Sequence, residues 1–158
     1  MGRQDHSLIR WPQRAVIVML AGLIGCSANP PEHIMRDGTH FTPCHRAPNC
    51  VSSQAPPGDS HHIAPLALTG SPKQALADLC AILDARRDAE IVTVDGDLIH
   101  ATFSTTLGFV DDVTVLIRPE HSIIDIKSAS RLGYYDFGVN RRRVEALRRA
   151  FAAYRHER

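Results

Sequence analysis

This sequence has little net charge and no long apolar run. Its 18 Lys and Arg residues nearly balance 17 Asp and Glu residues, which leaves a formal net charge of +1. Proteins that bind nucleic acid through its phosphates need a positive excess, so the composition does not indicate a nucleic-acid partner. The longest apolar run, "AVIVMLAGLIG" at residues 15–25, is short. A membrane-spanning helix needs about 20 apolar residues, so we do not expect one here.

The start of the chain has the pattern of an export sequence. Three arginines precede the apolar run: Arg3, Arg10 and Arg14. A basic segment followed by a short apolar core is typical of a secretory signal peptide. The run ends in "LIGC" at residues 23–26, which resembles the bacterial lipoprotein box, whose cysteine is acylated. We predict a signal peptide over residues 1–25 and a lipid on Cys26. An ordinary cleaved signal and an uncleaved anchor are the alternatives.

The predicted lipid implies a location and a domain layout. Residue 27 is Ser rather than the Asp of an inner-membrane retention signal. This favours the outer membrane of a bacterial cell envelope, with the domain facing the periplasm. Residues 26–43 contain three prolines and no periodicity, so we expect a flexible tether. Residues 44–158 should form a single domain, whose first part is irregular but pinned to the surface by cysteines.

Two segments have helical periodicity. The first begins with Ser71 as the predicted N-cap, Pro72 in the first turn and Gln74 at the capping-box position. Its apolar stripe consists of Leu76, Leu79, Cys80 and Leu83. The second helix should run from Asn140, a predicted N-cap, to about Tyr154. Its apolar stripe consists of Val144, Leu147, Phe151 and Tyr154.

Between the helices, alternating apolar residues predict four strands. Asp95-Gly96 is typical of a two-residue hairpin turn, in which Val94 would pair with Asp97. That register gives one apolar face: Val92, Val94, Ile99, Ala101 and Phe103. A second hairpin has its own apolar face: Val113, Val115, Ile117, Ile124 and Ile126. The order α-β-β-β-β-α predicts a two-layer α+β domain, in which a four-stranded antiparallel sheet carries both helices on one face.

Four motifs connect this chain to a known family. They are "PNCVSS" at 48–53, "HIAPL" at 62–66, "GFVDD" at 108–112 and "SASRLGYYDFGVNR" at 128–141. In order and spacing they resemble the family called domain of unknown function 1499, over about residues 41–152. The resemblance implies a fold and a set of marked positions, but no activity. Family members often have arginine just before the last motif, where this chain has Lys127.

Strand parity brings several marked positions to one corner of the sheet. Asp111 has the parity of the inward residues of its strand, and Ser128 and Ser130 have that of theirs. A two-residue turn between the strands would place Asp111 opposite Ser128. A four-residue turn through Ser122 would place it opposite Ser130. Either register sets a carboxylate against a hydroxyl at the edge of the core.

The second helix must pack on the same face, so its amino end should lie beside this corner. The corner would then hold eight polar residues: Asp111, Ser128, Ser130, Arg131, Asp136, Asn140, Arg141 and Arg143. Free helix N–H groups and guanidinium groups together bind phosphate, sulfate or carboxylate. In the alternative, three aspartates and three arginines pair internally and lock the loop: Asp111, Asp112 and Asp136 with Arg131, Arg141 and Arg143. We expect Arg142 to be solvated.

The remaining cysteines predict a disulfide. Cys44 and Cys50 are close in an irregular segment, and an oxidising envelope favours their pairing. Cys80 lies in a helical apolar stripe, so we interpret it as a core residue. The alternative is a metal site with five possible ligands: Cys44, His45, Cys50, His61 and His62. Their spacing matches no compact zinc pattern, so we predict no metal site.

The sequence supports three hypotheses about function. The first is a non-catalytic, lipid-anchored envelope domain that binds a protein partner or a small anion at the corner and needs no cofactor. The second is an envelope hydrolase or transferase that uses the same corner: Asp111, Ser128, Ser130 and Arg131. Its base would have to be His62 or His100, brought close by the fold. In the third, the marked residues specify only the fold.

Overall fold

The computed structural model describes residues 34, 35 and 37–156 of the chain. These contain two α-helices, six β-strands and one 3-10 turn. In chain order they are β1 (Cys50–Ser52), β2 (Leu66–Ala67), α1 (Pro72–Asp84), β3 (Ala89–Asp95), β4 (Leu98–Ser104), β5 (Val110–Arg118), the 3-10 turn (Pro119–His121), β6 (Ile123–Ser130) and α2 (Val139–His156). No helix within the described ranges is long and apolar enough to cross a membrane.

The sheet is antiparallel, with the strand order β1-β6-β5-β4-β3, and β2 also pairs with β6. The predicted α+β class is confirmed, but the predicted count of four strands is wrong. The two additional strands lie in the segment that the sequence suggested to be irregular. They have three and two residues, too few for an alternating pattern to be visible, and their pairing with β6 depends on tertiary contact.

Both helices pack on one face of the sheet, as predicted, and the core lies between the two layers. The sheet contributes Val113, Val115, Ile117, Ile124 and Ile126, and the helices contribute Leu79, Leu83, Val144, Leu147 and Phe151. We call this face the inner face and the opposite one the outer face. The start of α1 is also confirmed, because the Ser71 hydroxyl accepts a hydrogen bond from the Gln74 N–H at 3.2 Å. The Gln74 amide itself turns to Asp78.

The register of the first hairpin differs from the prediction. Asp95 pairs with Leu98, so the turn is Gly96-Asp97, and Gly96 supplies the positive φ of 56° that this turn requires. A register shift then falls between Ile91 and Thr93. Such a bulge changes the parity of a strand. For this reason Val92 is 50% exposed instead of joining the core.

The second hairpin has the longer of the two predicted connections. Four residues, 119–122, join β5 to β6, and Ser122 adopts a left-handed conformation with a φ of 55°. Asp111 therefore pairs with Ser130, and Val113 with Ser128. This register confirms the second of the two alternatives.

The folded part begins before Cys44. Phe41 is 4% exposed, and its backbone N–H donates to the side-chain oxygen of Gln54 at 2.7 Å. The adjacent Thr42 carbonyl accepts a hydrogen bond from Lys127 at 2.6 Å. The end of the segment predicted as a tether, residues 26–43, thus packs on the domain. The predicted signal peptide and Cys26 lie outside the described residues.

Candidate functional site

The inner-face corner is built around an ion pair between α2 and β5. A guanidinium nitrogen of Arg143 lies 2.5 Å from the Asp111 carboxylate, and their side chains are only 9% and 3% exposed. The other terminal nitrogen of Arg143 donates to Asn140 and Ser128 at 2.7 and 3.1 Å. The guanidinium also lies over the Phe103 ring, 4.8 Å from its centroid. The helix therefore meets the sheet as the sequence predicted.

Asn140 is the centre of this cluster. Its side-chain oxygen accepts from the Ser128 hydroxyl at 2.5 Å. Its side-chain nitrogen donates to the Ser130 hydroxyl and to the Asn49 carbonyl, both at 2.9 Å. Asn140 and Ser128 are fully buried, and among the described residues no buried side-chain polar atom lacks a hydrogen-bond partner. The protein's own side chains thus fill the corner.

The amino end of α2 is capped by Asp136 and not by Asn140. One oxygen of Asp136 accepts from the Gly138 N–H and the other from the Asn140 N–H, each at 2.8 Å. The prediction of Asn140 as N-cap is wrong, because its amide is turned into the core, where it holds β6. The preceding loop supplies the anion that this helix end favours.

Two of the arginines lie outside the cluster. Arg141 donates to the carbonyls of His62 and Ser60 at 2.9 and 2.8 Å, so its predicted pairing with a carboxylate is wrong. It fastens the start of α2 to the segment between β1 and β2. Arg142 is exposed, as predicted, and donates to the Phe137 carbonyl at 2.7 Å.

A second cluster lies on the outer face, one residue further along β5. Arg131 binds the Asp112 carboxylate with two nitrogens, both at 2.9 Å. The His100 ring lies 2.8 Å from the same carboxylate. Burial alone would raise the pKa of Asp112, but the hydrogen bonds from His100 and Arg131 outweigh it and lower that pKa. The hydrogen bonds to Asp112 in turn raise the pKa of Arg131.

Beside this pair is a partly open cavity of about 310 Å³. We call it the outer cavity. Its polar lining comes from two parts of the chain, the sheet and the segment before β1: Thr42, His45, Asp112, Thr114, Lys127, Ser130 and Arg131. Ile34, Pro43 and Ala129 add apolar surface. The volume is at the lower end of the range for small-molecule sites.

Lys127 is the cation in the outer cavity whose charge is least neutralised. Its ammonium donates to the Thr42 carbonyl at 2.6 Å. Burial lowers the pKa of Lys127, and the nearby charge of Asp112 opposes that shift only in part. The carboxylate of Asp112 is already held by Arg131. An anion in the cavity would therefore interact mainly with Lys127.

The predicted disulfide is confirmed and lies next to the segment that lines the outer cavity. Cys44 and Cys50 are joined with an S–S distance of 2.04 Å. Because Cys50 pairs with Ala129 of β6, the bond holds the neighbouring His45 beside the outer cavity. Within the described residues, no three His, Cys, Asp or Glu side chains form a group that could hold a metal ion. Cys80 packs against the core, and burial raises the pKa of its thiol.

The histidines named as bases for an enzyme bond groups other than the two serines. His62 has a ring nitrogen 2.8 Å from the Ala55 carbonyl. His100 is buried on the outer face against Asp112, whereas Ser128 points to the inner face. The Ser128 hydroxyl is instead bonded to Asn140 and Arg143. A Ser–His pair with Ser128 is therefore not formed by either of these histidines.

The sequence did not predict the outer cavity as a site. In the sequence, Lys127 differs from other residues only as a departure from the family motif, and no spacing places Thr114 and His45 in one site. A usable pattern was nevertheless present. Asp112 and Thr114 have one parity on β5, and Lys127, Ala129 and Arg131 share the matching parity next to it. This parity places an aspartate, a lysine and an arginine on one face of two adjacent strands, and so predicts a cluster of opposite charges there.

The fold and these two clusters define a small two-layer α+β domain with a filled inner corner and an open outer cavity. The model of a family described as "Protein of unknown function (DUF1499)" matches residues 40–151. The chain therefore belongs to the DUF1499 family, as its four motifs predicted. Comparisons with curated proteins and with solved structures found no match.

Proposed function

We propose that this protein is a lipid-anchored domain of the bacterial envelope that binds a small anionic ligand without catalysing a reaction. The ligand occupies the outer cavity, with its charge against the Lys127 ammonium. The observation that carries this proposal is a half-buried lysine in a cavity where the neighbouring arginine is already neutralised. The anchor is Cys26, and the domain faces the periplasm from the outer membrane.

The inner corner is the weaker place for a ligand. The nitrogens of Arg143 are directed at Asp111, Asn140 and Ser128, so an external anion would have to displace these bonds. The ion pair is also buried, and an anion would lose its hydration to reach it. The inner corner therefore stabilises the fold, and the outer cavity is the better place for the proposed ligand.

The charges and surfaces of the outer cavity favour a small carboxylate. Arg131 and Asp112 cancel each other, which leaves one positive charge on Lys127 for the ligand. Thr114 lines the same space, and its hydroxyl is suited to a second oxygen of the ligand. Pro43 and Ala129 offer contact for a short apolar part of the ligand. A singly charged, partly apolar anion matches this combination better than phosphate or sulfate does.

The test is a titration that compares three anions. Butyrate, phosphate and sulfate are added to the protein labelled with nitrogen-15, and backbone amide shifts are followed by nuclear magnetic resonance. We expect butyrate to shift the amides of residues 127–131, 42, 44 and 45 in a saturable way. Lys127→Met keeps the apolar stem and removes the charge, so it should weaken butyrate binding by a factor of about 10 or more, in line with the loss of one charge-assisted hydrogen bond.

The chain offers a matched control. Lys73 is exposed on α1, and Lys73→Met removes the same charge far from the cavity. It should leave the titration unchanged. If butyrate shifts no amide around the outer cavity, or if Lys127→Met binds it as well as the unaltered protein does, the proposed site is contradicted.

A further inference from the structure

Six large apolar side chains are exposed at one end of the sheet. They lie in the β4–β5 loop and the β6–α2 loop and are between 45% and 83% exposed: Leu107, Phe109, Leu132, Tyr134, Tyr135 and Phe137. We call this group the apolar tip. Single exposed apolar residues are common, but so many in two neighbouring loops indicate an interaction surface.

The two loops lie side by side. The N–H of Arg131 donates to the Val110 carbonyl at 3.1 Å, which extends the pairing of β5 and β6 by one step. Phe109 and Leu132 follow directly on either side of that bond. The rings of Tyr135 and Phe137 contact each other edge to face, with centroids 5.0 Å apart. The apolar tip is thus a set of projecting loops.

The loops are held in shape although their side chains are exposed. Phe137 has a φ of 54°, which is unfavourable for a bulky residue. The Arg142 guanidinium bonds its carbonyl, and Asp136 bonds the next N–H. In the other loop, the Phe109 N–H donates to the Thr105 hydroxyl at 3.0 Å. The protein therefore maintains an unfavourable backbone conformation that presents an aromatic ring to the surroundings.

The free charges beside the β6–α2 loop of the apolar tip are positive. Its nearest carboxylates are used internally, since Asp112 pairs with Arg131 and Asp136 caps α2. Arg141 and Arg142 are exposed at the start of α2. Asp88 and Glu90 are exposed beside β4, where the Asp88 carbonyl accepts from the Ser104 N–H at 2.9 Å, but the Asp88 carboxylate is paired with Arg86 at 2.7 Å.

We propose that the apolar tip inserts into the headgroup region of an anionic phospholipid bilayer. Tyr side chains favour this interface, where the ring meets acyl chains and the hydroxyl stays hydrated, and Phe and Leu side chains bury apolar surface there. Arg141 and Arg142 face the lipid phosphates. A contact at the membrane surface adds to the attachment that the predicted lipid on Cys26 provides, and it fixes the orientation of the domain. The tip is such a contact, and it does not depend on the occupant of the outer cavity.

The test places a fluorescent reporter at each end of the sheet. The only tryptophan, Trp11, is replaced by Phe in the full chain, and Tyr134→Trp is then compared with Val94→Trp. Val94 is also exposed, but it lies near the β3–β4 turn at the opposite end. Both proteins are mixed with phosphatidylcholine–phosphatidylglycerol vesicles whose acyl chains carry bromine, which quenches tryptophan nearby.

We expect the fluorescence emission of tryptophan at 134 to shift to shorter wavelength when vesicles are added. We also expect its fluorescence to be quenched at least twofold more than that of tryptophan at 94. The difference should shrink when phosphatidylglycerol is omitted, and also in the Arg141→Gln/Arg142→Gln variant. Because both reporters share the same amino terminus, attachment through that segment alone cannot produce the difference. Equal quenching at the two positions, or quenching at neither, would overturn the proposal and leave the tip to a protein partner.

Discussion

Asp111 and Asp112 are neighbours in β5, and each binds an arginine, but on opposite faces of the sheet. Asp111 reaches inward to Arg143 on α2, where Asn140 and Ser128 complete a filled cluster. Asp112 reaches outward to Arg131 at the wall of a cavity. Two adjacent residues of one strand thus form two different ion pairs. The inner pair fixes the packing of a helix, and the outer pair lines a candidate binding site. The same carboxylate–guanidinium pairing has two roles because alternate residues of a strand face opposite sides of the sheet.

The largest expected effect comes from breaking the inner pair. Asp111→Asn leaves the Arg143 guanidinium buried without its counter-charge, and we expect a loss of about 3–5 kcal/mol in the free energy of unfolding. Asp112→Asn should cost less, about 1–3 kcal/mol, because water in the outer cavity can solvate part of Arg131. Urea unfolding followed by circular dichroism measures both variants.

A double variant tests the explanation. Arg143→Met added to Asp111→Asn removes the uncompensated charge, so it should recover part of the lost stability. If Asp112→Asn lowered the free energy of unfolding more than Asp111→Asn does, the distinction between the inner and outer faces would be contradicted.

A smaller effect is expected from removing the disulfide. Replacing Cys44 and Cys50 by Ser opens a short loop, which costs about 2.4 kcal/mol in the chain-entropy model. The loss of stability should be greatest on the outer side of the sheet, because the disulfide holds the segment that carries Thr42 and His45. Hydrogen exchange should accelerate in residues 39–45 and stay nearly unchanged in α2. Equal acceleration of hydrogen exchange in residues 39–45 and in α2 would show that the inner and outer faces are not stabilised independently.

The smallest effect is the acid sensitivity of the outer pair. The pKa of Asp112 is lower in the folded protein than in the unfolded chain. Its pairing therefore contributes full stability above its unfolded pKa and loses that contribution as the pH falls through the folded value. The stability difference between the unaltered protein and Asp112→Asn should be constant near neutral pH and shrink in strong acid. A difference that grows on acidification would have the wrong sign.

Features that depend on local pattern could be predicted from the sequence. The alternation in β5 and β6 placed Asp111 opposite one of two serines, and turn length alone separated the alternatives. The pairing of Cys44 with Cys50 followed from their closeness in the chain. The bulge in β3, which exposes Val92, could not be predicted in this way because nothing in the alternation of apolar residues marks its position.

Features that depend on distant contacts were missed. β1 is too short to recognise, and only its position beside β6 makes it a strand. The outer cavity exists because Thr42 meets Lys127, 85 residues further along the chain. No spacing rule connects two such positions. Asn140 was misassigned for a related reason, because its partners Asn49 and Ser128 come from other elements.

The bond between Asn140 and Asn49 spans 91 residues of the chain. During synthesis Asn49 therefore leaves the ribosome well before Asn140 does. Until α2 has emerged, the earlier strands have no partner that can close the inner corner. The location of this amide therefore makes the closure of the inner corner a late step for a chain that folds as it is made.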